Sequence, residues 1–487
     1  MKVLLTDLNY LLQCKMLKSL RKILSLRSKY CIKQRNYEHG ENSEALSVQF
    51  PNCNDCVEEN KHCNCDHIVA VEDRKNSTTA EGASVDSNSS FVHSVINMVG
   101  MLIGLGQLST PYAVEKGGWG SALLLIGLGV ICAYTSHILG KCLEKNPKLT
   151  SYVDIGNQAF GTKGRYLVAT FIYMDIFMAL VSYTISLHDN LITVFIGTHL
   201  KMKFAMLTSS QIIALVAILI ALPSLWIRDM SCISFLSTGG IVMSLLVFAC
   251  VVATAIFGVG EAGNNHSIPV FKLHNIPSIS GLYVFCYGGH IVFPDLYKSM
   301  KDPSKFTKVS IVSFTIAIAF YTSMGFMGAK MYGNDIQSQI TLSMPSNQII
   351  TKIALWATVL VPMTKYALEF APFAIHLEQT LPNSLNGRTK LVIRGCVASF
   401  LLLTILVLAL SVPYFEHVLS LTGSLLSVAI CLVFPCVFYL KIFWGKITRF
   451  LLVLNISLVI FGVLLGGMGT ISSTKLILQK LISHHST

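Results

Sequence analysis

Two short stretches of this sequence put glycines, prolines and small polar side chains where the backbone itself can do chemistry. The first is Gly104-Leu-Gly-Gln-Leu-Ser-Thr-Pro111 and the second is Tyr287-Gly-Gly-His-Ile-Val-Phe-Pro294. Both interrupt apolar runs, and both carry the spacing G-x4-P, at Gly106–Pro111 and at Gly289–Pro294. Glycine weakens a helix interior and proline removes an N–H donor, so helical hydrogen bonding is predicted to stop in both places. A broken helix leaves N–H groups free where one half starts and C=O groups free where the other ends. Free N–H groups near Gln107, at the positive end of a helix dipole, suit a carboxylate. Free carbonyls suit an ammonium. Two facing breaks therefore match a zwitterion such as an α-amino acid without any charged side chain. Ser109 and Thr110 add hydroxyls, Tyr287 a ring able to close over the site, and His290 a group able to bond a ligand or carry a proton. A single break also fits a merely kinked structural helix; it is the pairing that argues for a site.

Charged side chains inside apolar runs are costly in a bilayer and are functional candidates by default. Lys365 and Glu369 lie four apart, on one helix face, in Pro362-Met-Thr-Lys-Tyr-Ala-Leu-Glu369. In a carrier built on broken helices, Lys365 can take the place of a sodium ion, which favours proton coupling; a structural ion pair is the competing reading. Asp175 is the deepest isolated acid, open to a role in proton transfer or to a bond with a neighbouring helix. His188-Asp-Asn190 reads as a solvated gate region or a proton relay, and Thr422-Gly-Ser424 as close packing of small residues.

The elements that must hold these residues follow from composition. Of the 487 residues, 53% are hydrophobic and 13% charged, about half the charged share of soluble proteins. Charge is nearly absent from runs of about 20 residues, the length that crosses the hydrocarbon core. The chain is thus an all-α integral membrane protein, and the absence of short alternating strands argues against a β-barrel. Eleven spans are expected, near 93–114, 118–140, 165–187, 208–227, 231–257, 278–298, 308–330, 347–375, 391–412, 416–440 and 449–471. Lys and Arg concentrate in the loops that share a side with the N-terminus, which places the N-terminus in the cytoplasm. The net charge of +12 is therefore a matter of topology and calls for no nucleic acid partner. The partners expected are the lipid bilayer, a small-molecule substrate and protons, with no cofactor.

Residues 1–92 form an expected cytoplasmic tail, mostly disordered, ahead of a transmembrane domain over 93–471 and a short non-cytoplasmic tail over 472–487. The stretch Met1–Arg35 is basic with scattered leucines, the pattern of an amphipathic helix on an anionic membrane face or of an organelle transit peptide. Cys53-Asn-Asp-Cys56 and Cys63-Asn-Cys65-Asp-His67 offer zinc-type ligands at a spacing that matches no common finger, so reduced thiols without metal are expected.

The two interrupted spans lie five apart and so cross the membrane in opposite directions. Discontinuous helices at matching positions of two inverted halves characterise one large class of secondary transporters. The halves would be spans 1–5 and 6–10, with one extra helix. No nucleophile–base pair or metal-ligand pattern occurs in the spans, so an enzyme is not expected.

The stretch Asn97-Met-Val-Gly-Met-Leu-Ile-Gly-Leu-Gly-Gln-Leu-Ser-Thr-Pro-Tyr-Ala113 resembles the amino acid/auxin permease family, in particular its plant vacuolar-type amino acid transporters. Glu115-Lys-Gly-Gly-Trp-Gly120, Tyr152-Val-Asp-Ile-Gly-Asn-Gln-Ala-Phe-Gly161 and Thr364-Lys-Tyr-Ala367 extend the likeness over about residues 91–471. It implies a five-plus-five inverted-repeat fold like that of bacterial leucine transporters and carriage of neutral amino acids coupled to protons. By position, substrate contacts would fall on Gly104, Gly106, Gln107 and Ser109 and on the break Tyr287, Gly288, Gly289 and His290. The resemblance implies a vacuolar membrane, with the plasma membrane or another endomembrane as alternatives. Carriage of another organic acid such as auxin, or amino acid sensing without transport, are the other functions open at this stage.

Overall fold

The computed structural model describes residues 89–195, 230–257, 268–380 and 386–485, and they are helical apart from connecting loops and one isolated β-bridge. The first expected span is two helices, α1 (Phe91–Leu102) and α2 (Gly106–Gly117), meeting at 59° across a short break. Then come α3 (Ser121–Lys145) and α4 (Tyr152–Phe195), the latter turned at Gly161, whose φ is 64°. Helix α5 covers Met230–Phe257. The second interrupted span comprises α6 (Ile276–Cys286), a 3-10 turn at His290–Val292, and α7 (Phe293–Ser299).

After it run α8 (Phe306–Tyr332), the single-turn α9 (Ile340–Ser343), α10 (Ile349–Thr380) and α11 (Gly387–Ser411). A span made of α12 (Phe415–Thr422), two π-helical turns at Gly423–Ser427 and Ala429–Val433, and α13 (Phe434–Ile442) precedes α14 (Arg449–His485). Among the described residues seven helices are long and apolar enough to cross a membrane, eight if α1 and α2 count as one span. The expected span at 208–227 and the cysteine-containing tail lie outside the described residues. Helix α14 continues to His485, through the segment after 471 that was expected as a tail.

Exposed apolar side chains mark the face each helix turns to lipid. On α14 these include Phe450, Val453, Ile456, Ile460, Val463, Leu464 and Ile471, a stripe at helical spacing. Lipid tails are as apolar as leucine, so the helices are held together by close fit and by buried hydrogen bonds. The tightest fit is at Gly281 of α6 and Gly423 at the first π turn. A Cβ on either glycine would overlap the backbone of the other helix, at Ser420 and at Gly281 respectively. Thr422-Gly-Ser424 is therefore a small-residue crossing.

The two broken spans run antiparallel and are laced together at both ends. At one end the Ser89 N–H donates to Ser299 O and the Lys301 N–H to Ser89 O, each at 3.0 Å. At the other, the Gly120 N–H donates to Val270 O at 2.7 Å and the Lys272 N–H to Gly117 O at 2.9 Å. There the buried carboxylate of Glu115 pairs with Lys272 at 2.7 Å and Lys116 at 3.0 Å. The start of each broken span thus meets the end of the other.

Candidate substrate site

The break in the first span is shorter than the sequence pattern predicts. Only Ile103, Gly104 and Leu105 lie between α1 and α2, and Pro111 sits inside α2. Proline has a helix-compatible φ, so beyond the first turn its cost is one missing hydrogen bond and a steric push. Its ring is accommodated by Gly328 of α8, where an added Cβ would stand 2.6 Å from the Pro111 Cβ.

Side chains from two other helices take up the backbone groups that the break releases. The Tyr321 hydroxyl of α8 donates to Leu102 O at 2.7 Å and accepts from the Gly104 N–H at 3.3 Å. Lys365 of α10 donates to Ile103 O at 3.1 Å. Among the described residues no partner is found for the N–H groups of Leu105 and Gly106, the donors at the start of α2. The groups left over at this break are thus donors, at the N-terminal end of α2.

The second break faces the first. A Cβ at Gly106 would lie 2.6 Å from Cys286 Sγ and 3.0 Å from Cys286 Cα, at the end of α6. One at Gly289 would meet Leu102 at 3.4 Å. Residues Tyr287, Gly288 and Gly289 leave the helix, and Pro294 stands in the first turn of α7. Gly288 and Gly104 keep accessible surface, so the accessible backbone lies at the two breaks.

Side chains from the breaks divide into two groups. Thr110 donates to Gly106 O at 2.7 Å and lies 3.6 Å from Cys286 Sγ, which ties the two breaks together. Tyr287 is buried away from the first break. Its Cζ would be 2.8 Å from a Cβ on Gly129, and its ring packs against Phe314 and edge-on to Tyr321. His290 is buried beside α3, with Nε2 3.0 Å from Thr135 Oγ1 and 3.3 Å from Cys132 O. A carbonyl can only accept, so Nε2 carries the proton and Nδ1 presents a lone pair. Gln107 Oε1, Ser109 Oγ, Tyr287 Oη and His290 Nδ1 are all buried with no hydrogen-bond partner among the described residues. Buried polar atoms are rarely left so, though others outside the breaks, such as Ser244 Oγ and Thr351 Oγ1, share the state.

Acidic side chains lie near Lys365 on α10. Glu369 lies one turn along α10, within electrostatic reach of both Lys365 and Asp175 of α4. Ser427, in the first π turn, donates to Asp175 Oδ1 at 3.4 Å. His188 Nδ1 lies 3.3 Å from Asp189 Oδ1 near the end of α4. Asp189 also accepts from Gln339 at 3.0 Å, and the Gln339 carbonyl oxygen accepts from Ser186 at 2.7 Å and Asn190 at 2.8 Å. Sequence reasoning missed Tyr321, Cys286, Thr135, Ser427 and Gln339. Each lies in an ordinary-looking run, and only the partner across the helix interface reveals it.

A bundle opened by two facing helix breaks, with released backbone and a buried lysine at its centre, is the architecture of a membrane transporter. The chain belongs to the transmembrane amino acid transporter family, whose pattern it matches over residues 87–475. That is a family of carriers and not of enzymes. Amino acid transporter AVT1H of Arabidopsis thaliana is 58% identical over 436 residues, covering 89% of this chain and 99% of that protein. Amino acid transporter AVT1E of the same plant is 40% identical over 384 residues, covering 79% and 72% respectively. The crystal structure of MhsT in complex with L-phenylalanine superposes with a TM-score of 0.53 at 12% identity, covering 78% of this chain and 98% of that one. This last likeness establishes the fold.

Proposed function

We propose that this protein is a proton-coupled secondary transporter of neutral amino acids, built as two inverted halves of five spans with an eleventh helix added. The observation that carries the proposal is the apposition of the two breaks at Gly106 and Cys286. One break offers donors, the N–H groups of Leu105 and Gly106, and these take the substrate carboxylate. The other ends α6 with released carbonyls, and these take the ammonium. Gln107 and Ser109 complete the first half of the site. Gly288, Gly289 and the Nδ1 of His290 belong to the second, and Thr110 braces the two.

In this reading coupling runs through Lys365, Glu369 and Asp175. An ammonium held on Ile103 O occupies the neighbourhood of the first break that a metal cation would need. A proton exchanged within the Lys365–Glu369–Asp175 cluster would alter that hold, so protonation and the shape of the break are linked. The residues before 93 are a cytoplasmic tail, and the membrane is that of the vacuole. The vacuolar assignment rests on the resemblance alone. The test is flux of labelled neutral amino acids into vesicles of known orientation under an imposed pH gradient. Accumulation that collapses with the gradient and ignores sodium is expected. Absence of gradient-dependent flux across a panel of neutral amino acids would sink the proposal.

A further inference from the structure

We infer that Tyr321 is a positioning residue that holds the first break open in its substrate-binding shape and links it to the second. The inference rests on the amino acid carrier reading but concerns a residue outside either break. Its hydroxyl stands in for the two backbone partners that the break separates. It donates to Leu102 O, the last carbonyl of α1, at 2.7 Å and accepts from the Gly104 N–H at 3.3 Å. A hydroxyl can do both at once through a single oxygen. With Leu102 O and the Gly104 N–H taken by Tyr321, and Ile103 O by Lys365, the unpartnered groups of the break are the donors at Leu105 and Gly106.

The same ring reaches the second break. Tyr321 is fully buried, and its ring centroid lies 5.8 Å from that of Tyr287 in an edge-on arrangement at 84°. A second edge-on contact with Phe320, at 5.6 Å, fixes the ring from its own helix. Movement of Tyr287 at the second break therefore presses on the residue that sets the first. Purely structural packing would need the ring alone. The paired hydrogen bonds across three residues of unwound backbone are what a packing role leaves unexplained.

The experiment compares wild type with Tyr321→Phe, which keeps the ring and removes the hydroxyl, as full-length protein in vesicles. Hydrogen–deuterium exchange is read on the peptide covering residues 101–107. The amide of Gly104 loses its acceptor, and exchange there is expected to rise about tenfold with the rest of the protein unchanged. Uptake of a labelled mixture of neutral L-amino acids is measured in the same vesicles. The KM should rise about tenfold, because a break that samples other shapes binds with only the competent fraction, while the maximal rate stays within about twofold. Unchanged exchange at 101–107 would overturn the hold. Faster exchange with an unchanged KM would overturn the positioning role. If wild type itself moves no amino acid, the carrier reading falls, and the exchange result still decides whether Tyr321 holds the break.

Discussion

The ammonium of Lys365 lies 3.1 Å from the carbonyl oxygen of Ile103, joining α10 to the first residue of the break 262 positions earlier in the chain. A buried charge is tolerated only where it is bonded, and here the bond goes to backbone that has no helical partner. Each group answers a deficit in the other. Replacing Lys365 by methionine keeps most of the apolar stem and leaves Ile103 O without its donor. A lost hydrogen bond to a charged group costs about 1.5–3 kcal/mol. Substrate affinity should therefore fall by between roughly tenfold and a hundredfold, and Lys365→Thr should alter the coupling. Uptake by wild type is expected to be the same in sodium and choline media. Stimulation of the wild-type protein by sodium would contradict the assignment of this site to a proton-linked lysine.

Gly106 is the closest approach between the two breaks. Alanine there would put a methyl group 2.6 Å from Cys286 Sγ and 3.0 Å from Cys286 Cα. The sulfur can turn aside, but the backbone carbon cannot. Overpacking of this kind costs about 1–3 kcal/mol. Gly106→Ala is expected to abolish measurable flux while the protein still reaches the membrane. Adding Cys286→Ala should restore little of it, because the backbone contact at 3.0 Å remains. Unimpaired flux in Gly106→Ala would show that the breaks do not meet as described.

Much of this was legible in the sequence, and the reasons for both success and failure are physical. Spans show because lipid demands unbroken apolar length, and breaks show because only glycine and proline release backbone there. Gly104, Gly106 and Tyr287–Gly289 could be found that way. Proline was over-read: Pro111 fits inside α2 because Gly328, more than two hundred residues away, makes room for its ring. Tyr321 gave no local sign, since a tyrosine in Phe320-Tyr-Thr322 looks like any aromatic in a span. Gly281 and Gly423 each read as a small residue, and their meeting is a property of the crossing helices.

Asp175 accepts from Ser427 at 3.4 Å and lies within electrostatic reach of Glu369. Asparagine keeps the size and can still bond Ser427, but it cannot take up a proton. Asp175→Asn is expected to retain exchange of labelled for unlabelled amino acid across the membrane. Accumulation driven by a pH gradient should drop about tenfold, the effect of roughly 1.4 kcal/mol of lost coupling. Equal loss of exchange and accumulation would make Asp175 structural, a polar tie between α4 and the π turn.

Gln339 fastens the loop between α8 and α10 to the end of α4. Its carbonyl oxygen accepts from Ser186 and Asn190, its amide donates to Asp189, and Thr341 two residues on donates to Asn190 Oδ1 at 2.8 Å. The tie uses both ends of one amide, so a change at Gln339 strands several buried groups at once. A stranded buried donor or acceptor costs about 1–3 kcal/mol. Gln339→Leu should therefore loosen residues 336–343, seen as faster hydrogen–deuterium exchange in that peptide with the breaks unaffected. Gln339→Glu is the sharper comparison. It keeps the acceptor for Ser186 and Asn190 but sets a second carboxylate against Asp189, and like charges at that range repel. The loop should open more in Gln339→Glu as pH rises and both groups ionise, and close again in acid. If the protection of residues 336–343 in Gln339→Glu, taken relative to the unfolded peptide at the same pH, does not change with pH, the Asp189 contact is not what holds the loop.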